Sequence, residues 1–254
     1  MIGGLAALEK HQPLVFPDGI YGCSVGSILA TALAYKVPVH AIKLMFETDF
    51  SLASVMPSIN LTSLTSFTTE KALFTMDGFR ETLIRAFDNQ GVDLRNALIE
   101  DAPQKLSILA TNLTTRKPVF LTGTVPVIDA ICASSCLPFI FHPQIIYNNV
   151  YVDGGFYSQG IHHLVPRDCL VFHIRRADLT ITPGRLKKMT IAEYASTIYE
   201  AFRNGSTSEN VMWFTNDSIA LLQELTDEQK SEIYNEGVEQ ASRFFAKRLP
   251  QIVG

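Results

Sequence analysis

Cysteine is scarce and unclustered in this chain: Cys23, Cys132, Cys136 and Cys169 form no Cys-x-x-Cys pair. That pattern excludes a disulfide-dense secreted scaffold and reads as reduced thiols. An excess of positive charge is missing as well, with a formal net charge of -4. A nucleic-acid binder would carry a cationic stripe, so that class of partner is excluded. The short clusters Arg175-Arg176, Lys187-Lys188 and Lys247-Arg248 are read as solvated surface, with lipid headgroup binding as the alternative. No hydrophobic run is long enough to span a bilayer. The nearest, Gly19 to Tyr35, is uncharged but short and rich in Gly, Ser and Thr, which suits a buried helix after a strand. Met1 to Lys10 lacks a basic start, so no secretory leader is expected. There is no H-E-x-x-H, no phosphate-binding loop and no dinucleotide glycine run, hence no metal or organic cofactor is suggested.

What the chain does have is apolar material, 47% of 254 residues, enough for a sizeable α/β core. It is organised around Pro17 to Lys36, which contains Gly22-Cys23-Ser24-Val25-Gly26, a G-x-S-x-G pattern. A β-compatible Ile20-Tyr21 precedes it and small and apolar helix formers follow. Strand, tight turn and helix in that order are the context of a nucleophile elbow, in which glycines on both sides leave room for a strained turn. Ser24 would then stand at a helix N-terminus, where the dipole and free N–H groups favour developing negative charge.

Along the chain, Ile2 to His11 and Val39 to Phe50 read as helices, and Ser51 to Thr69 as a loop or lid-like excursion. Asp77 reads as the N-cap of a helix from Gly78 to Asn89 that Gly91 stops. Strands are expected at Lys105 to Ala110 and Lys117 to Leu121, and a helix from Val125 or Pro126 to Ser135. Gln144 to Val152 reads as a strand or hairpin turning at Asn148-Asn149, and Cys169 to Ile174 as a buried strand. Beyond it the chain is expected to be mainly helical, at Thr190 to Arg203, Asp217 to Leu225 and Asp227 to Lys247, the last opened by a Thr226-x-x-Gln229 capping box. Strands alternating with helices predict a mainly parallel sheet covered on both faces.

The second chemical feature is Asp153-Gly154-Gly155, an acid and two glycines at a predicted strand end. Active-site groups collect at the carboxyl edge of open α/β sheets. Ser24, Asp153 and then His162, His163 or His173 also follow the chain order of a Ser-His-Asp α/β-hydrolase, which stands as one alternative.

Together with Ala110-Thr111-Asn112-Leu113 to Lys117-Pro118-Val119-Phe120 and Ala133-Ser134-Ser135-Cys136-Leu137-Pro138, the elbow and Tyr151-Val152-Asp153-Gly154-Gly155 resemble a patatin-like phospholipase domain over Ile2 to Arg175. The resemblance implies a three-layer α/β/α sandwich, with 1–175 as the acyl hydrolase core and 176–254 as a mainly helical part of the same domain. It also implies a Ser-Asp dyad in which Ser24 is the nucleophile and Asp153 the proton acceptor, flanked by Gly22, Cys23, Val25, Gly26, Gly154 and Gly155. Substrates would be acyl esters of phospholipids or neutral glycerides, met in a cytoplasmic protein with at most peripheral membrane contact and without a cofactor. Ile2-Gly3-Gly4-Leu5 resembles the family's first helix, so the preceding strand and glycine-rich oxyanion loop are expected to be missing. Losing oxyanion donors costs on the order of a hundredfold or more in rate. The second alternative is therefore a catalytically weakened or inactive patatin-fold protein that binds lipid.

Overall fold

The computed structural model describes residues 1–51, 55, 61–156, 161–175, 181–187, 189, 194, 197, 210–215 and 224–248. In chain order the elements are α1 (Ile2–Glu9), β1 (Ile20–Cys23), α2 (Val25–Ala34), α3 (Val39–Thr48), α4 (Leu61–Thr69), β2 (Ala72–Phe74), α5 (Asp77–Asp88), β3 (Leu106–Asn112) and β4 (Lys117–Leu121). There follow α6 (Val127–Ser135), β5 (Phe139–Phe141), β6 (Gln144–Ile146), β7 (Asn149–Asp153), β8 (Val171–Arg175), the single turn α7 (Pro183–Leu186), β9 (Val211–Thr215) and α8 (Asp227–Arg248). Two compact units result: residues 15–163, and residues 1–14 with 164–254.

The unit of residues 15–163 is built on β3, all seven of whose residues are buried. β4 pairs with β3 antiparallel from Ile108 to Asn112. β1 pairs with it parallel, from Leu106 to Leu109, and β7 antiparallel, from Ala110 to Asn112. Because β4 occupies one edge throughout the shared stretch, β1 and β7 lie end to end along the other. β6 extends the sheet antiparallel to β7. The sheet is therefore mixed, and the expectation of a mainly parallel sheet is corrected. The reason lies in the connections: β3 to β4 and β6 to β7 are joined by short turns, which only antiparallel neighbours can use, whereas β1 reaches β3 through a long helical stretch. Helices α2 and α6 touch each other and both rest on this sheet, so they share one face. β2 and β5 form a separate parallel pair.

Local sequence accounts for most boundaries. Pro126 supplies the N-cap backbone of α6 with its fixed φ, and Gly91 takes up φ +74 just beyond α5. The cap of α5 is Met76, with Asp77 inside the first turn, one residue from the expected cap. The hairpin turns at Tyr147-Asn148, both at positive φ, as a two-residue turn of the primed type requires. Part of the excursion expected at Ser51 to Thr69 is helix α4, and the rest lies mostly outside the described residues. Gln104 fastens the C-terminal end of α2: its backbone N–H and side-chain amide donate to Ala34 and Leu33 carbonyls, and its Oε1 accepts the Phe16 N–H.

In the unit of residues 1–14 and 164–254, α1 packs on α8, and β8 pairs parallel with β9. Gly3 and Gly4 lie inside α1, as the sequence suggests. A Cβ on Gly3 would sit 2.2 Å from the Tyr234 carbonyl oxygen, so glycine there lets two helix backbones touch. The capping box forms as expected, with Gln229 N–H donating to Thr226 Oγ1 and Thr226 N–H to Gln229 Oε1. Strand β9 falls between the expected helices, where no strand is predicted: Val211-Met212-Trp213-Phe214-Thr215 is rich in β-branched and aromatic residues and pairs along β8. The helices expected at 190–203 and 217–225 lie largely outside the described residues, as do Arg176 and Lys188 of the basic clusters.

Candidate active site

Cys23 is the C-terminal residue of β1 and pairs with Leu109, while Asp153 is the C-terminal residue of β7 and pairs with Ala110. One strand runs parallel to β3 and the other antiparallel, so they run toward each other. Their carboxyl ends meet at two adjacent positions of β3, about 3.3 Å apart along the strand. The two predicted groups, far apart in sequence, are brought together at that junction. Side-chain packing agrees, because a Cβ on Gly154 would lie 3.1 Å from Cys23 Sγ.

Ser24 caps α2 with φ 53 and ψ -134, a conformation that a non-glycine residue holds only at a cost of order 1–3 kcal/mol. Its surroundings fix it from both sides. The Ser24 N–H donates to Ser134 Oγ at 2.8 Å, and the Ser24 carbonyl accepts the Ser27 N–H at 2.8 Å and the Ser27 hydroxyl at 2.6 Å. The strained turn depends on Gly22, where a Cβ would lie 2.6 Å from Ser27 Cα and 2.7 Å from Ala30 Cβ. Gly26 is different: beyond its chain neighbours and its own helix backbone, no heavy atom lies within 4 Å of a Cβ built there, so the expected crowding on both sides of the serine is corrected to one side. Ser24 is half-buried and Val25 is exposed, leaving the elbow reachable from solvent.

Asp153 is 4% exposed. Its Oδ1 accepts the Gly155 N–H at 2.8 Å, its own N–H donates to the Cys136 carbonyl at 2.8 Å, and its carbonyl accepts the Thr111 hydroxyl at 2.9 Å. The carboxylate is thus oriented by the turn that follows it. Gly154 is obligatory, since a Cβ there would meet the Leu109 carbonyl oxygen at 2.2 Å. Exposed apolar residues follow both groups in the chain: Val25, 41% exposed, comes directly after Ser24, and Phe156, 49% exposed, after the double glycine.

The nearby thiols are poor acids. Burial above all, and then Asp153, push the Cys136 thiol up, and its Sγ donates to the His142 carbonyl at 2.9 Å. Burial pushes Cys132 up to about 12. The thiolate forms are disfavoured in the fold, so the stability these thiols share in is complete below the ordinary thiol range and falls as pH rises through it toward 12. Iodoacetamide at pH 8 on the native chain is expected to modify half-buried Cys23 and Cys169 well before buried Cys132 and Cys136, with all four equal in urea. Peptide mass mapping reads this, and equal native rates would contradict the burial.

His162 and His163 lie on a helical turn with ring centroids 3.8 Å apart, and His173 lies on β8 against Trp213 at 4.6 Å. The segment of Ser134 is part of the family resemblance, but its contact with Ser24 escapes sequence reasoning, because one serine in a run of small residues carries no signal of a partner 110 positions away. Among the described residues no cluster of metal-ligating side chains occurs, and no helix is long and apolar enough to cross a membrane.

No curated protein matches the chain. Among solved structures, VipD from Legionella pneumophila is similar, with a TM-score of 0.55 and 14% identity over 97% of this chain and 64% of that one. The type III effector protein ExoU aligns with a TM-score of 0.49 and 16% identity over 97% of this chain and 50% of that one. The chain therefore spans less than two thirds of either. VipD supports the fold. The profile of the patatin-like phospholipases matches residues 1–164, which hold the elbow, the Ser134 segment and Asp153, and the chain belongs to that family.

Proposed function

We propose that this chain is a lipid acyl hydrolase in which Ser24 and Asp153 act as a dyad. The observation that carries the reading is the meeting of the β1 and β7 carboxyl ends on one edge of β3. Ser24 Oγ adds to the ester carbonyl carbon while its proton passes to the Asp153 carboxylate. The tetrahedral intermediate then expels the alcohol, which takes that proton, and leaves an acyl-enzyme. Water adds to the acyl carbon, Asp153 accepts its proton, and the fatty acid departs as Ser24 regains its hydrogen. The N-terminal N–H groups of α2, that of Val25 first, face the charge that develops on the carbonyl oxygen, and no acidic side chain lies in that first turn to oppose it. Family membership supports lipid esters as the substrate class, and the apolar Val25 and Phe156 suit an acyl chain better than a charged group.

The test is covalent labelling of the full chain with a fluorophosphonate ester, located by intact mass and peptide mapping. One adduct per chain is expected, lost in Ser24→Ala with the melting temperature unchanged. A folded parent that takes no label, or a Ser24→Ala variant that still does, would overturn the assignment.

A further inference from the structure

The turn at the end of α6 reaches both halves of the site. Ser134 is fully buried, and its hydroxyl does two things at once: it accepts the Ser24 N–H at 2.8 Å and donates to the Leu109 carbonyl at 2.6 Å. Two residues on, the Cys136 carbonyl accepts the Asp153 N–H at 2.8 Å. Leu109 is the β3 residue that pairs with Cys23, and its carbonyl is the group against which Gly154 is pressed. A single side chain therefore ties the strained elbow to the strand position where β1 and β7 meet, and its own backbone continues into the contact that seats Asp153.

We propose that Ser134 is a positioning residue, which holds Ser24 in its strained conformation at a fixed place relative to Asp153 by bridging the Ser24 N–H and the Leu109 carbonyl. The inference rests on Ser24 being the nucleophile. The physical case is that an unfavourable φ persists only where its surroundings over-determine it. The carbonyl side of Ser24 is held within its own helix by Ser27, a local contact that does not reach toward Asp153. The amide side is held by Ser134, which carries the link to the rest of the sheet. A hydroxyl has the right geometry for such a bridge, because one lone pair receives the amide and the one proton goes to the carbonyl, so both contacts are made in one rotamer. Ser135 provides an internal control, since its hydroxyl is buried and has no hydrogen-bond partner among the described residues.

Inactivation by the fluorophosphonate ester, followed to completion, yields both a rate constant and the final fraction labelled. Ser134→Ala is expected to reach the parental end point at a rate lower by roughly tenfold to a hundredfold, the scale set by small misplacements of a reacting group. Ser135→Ala is expected to keep the parental rate. A lowered end point with an unchanged rate per labelled molecule would mean a merely structural role and overturns the proposal. Should Ser134→Ala give no cooperative melt, the rate is read on Ser134→Cys, which fills the same space with a weak hydrogen-bonding group. A parental rate there overturns the proposal equally. If the parent itself takes no label, the nucleophile assignment falls, and hydrogen exchange at the Ser24 amide decides the clamp without chemistry. Exchange faster by about fivefold or more in Ser134→Ala sustains the bridge, and unchanged exchange removes it.

Discussion

Asp153→Asn is expected to lower kcat on a short-chain acyl ester by about 10² to 10⁴-fold, the range that general-base catalysis contributes. The substitution is chosen because it leaves the architecture alone. Asparagine keeps a side-chain oxygen for the Gly155 N–H, and the backbone contacts of residue 153 with Cys136 and Thr111 do not involve the carboxylate. In the proposed dyad, what disappears is the capacity to accept a proton from Ser24 and later from water. KM should move little, since the apolar side chains beside the site are untouched, and thermal melting should stay within a few degrees of the parent. Steady-state hydrolysis with circular dichroism melts on the same preparation checks both halves. A variant with parental kcat would take the base role away from Asp153.

Gly154→Ala is expected to cost about 3 kcal/mol of stability, at the upper end of ordinary overpacking. For a chain of this size that corresponds to a fall of roughly 6 to 12 °C in Tm. The clash is with the Leu109 carbonyl oxygen, 2.2 Å from the added carbon, and that carbonyl belongs to a strand held on both edges. A flexible side chain could turn aside, but a paired backbone cannot. Gly26→Ala adds the same atoms where nothing beyond its chain neighbours and own helix backbone lies within 4 Å, and should stay within about 0.5 kcal/mol of the parent. Paired melts of the two variants settle it, and equal Tm values would mean that the backbone at Leu109 gives way.

How much of this is legible in the sequence depends on how local the determinant is. The elbow can be read because Gly22, Ser24 and the helix that follows constrain one another within a few residues. The hairpin can be read from Asn148-Asn149, to within a residue of the observed turn at Tyr147-Asn148, because a two-residue turn demands positive φ. Strand direction cannot. Leu106 to Asn112 is buried throughout, and a strand covered on both faces looks alike whether its neighbours run with it or against it. Helix α4 stays hidden because its Ser and Thr residues favour turns and caps as readily as helix, and β9 because it is a short run between stretches with helical patterning. At the site, the residue types of Ser24 and Asp153 point to chemistry, whereas the Ser134 contacts exist only after distant segments have been paired.

The end-to-end arrangement of β1 and β7 makes β3 a ruler. The spacing between the two groups is counted in whole residues of hydrogen-bond register, from Leu109 to Ala110, and so can change only in steps. A slip of one residue in β7 would carry Asp153 about 3.3 Å along the strand and turn its side chain to the opposite face of the sheet. No intermediate setting is available to the pairing. The side chains of Leu109 and Ala110 take no part in that measurement, because backbone groups alone do the counting. Their identities are free to drift with the core around them while the distance stays fixed.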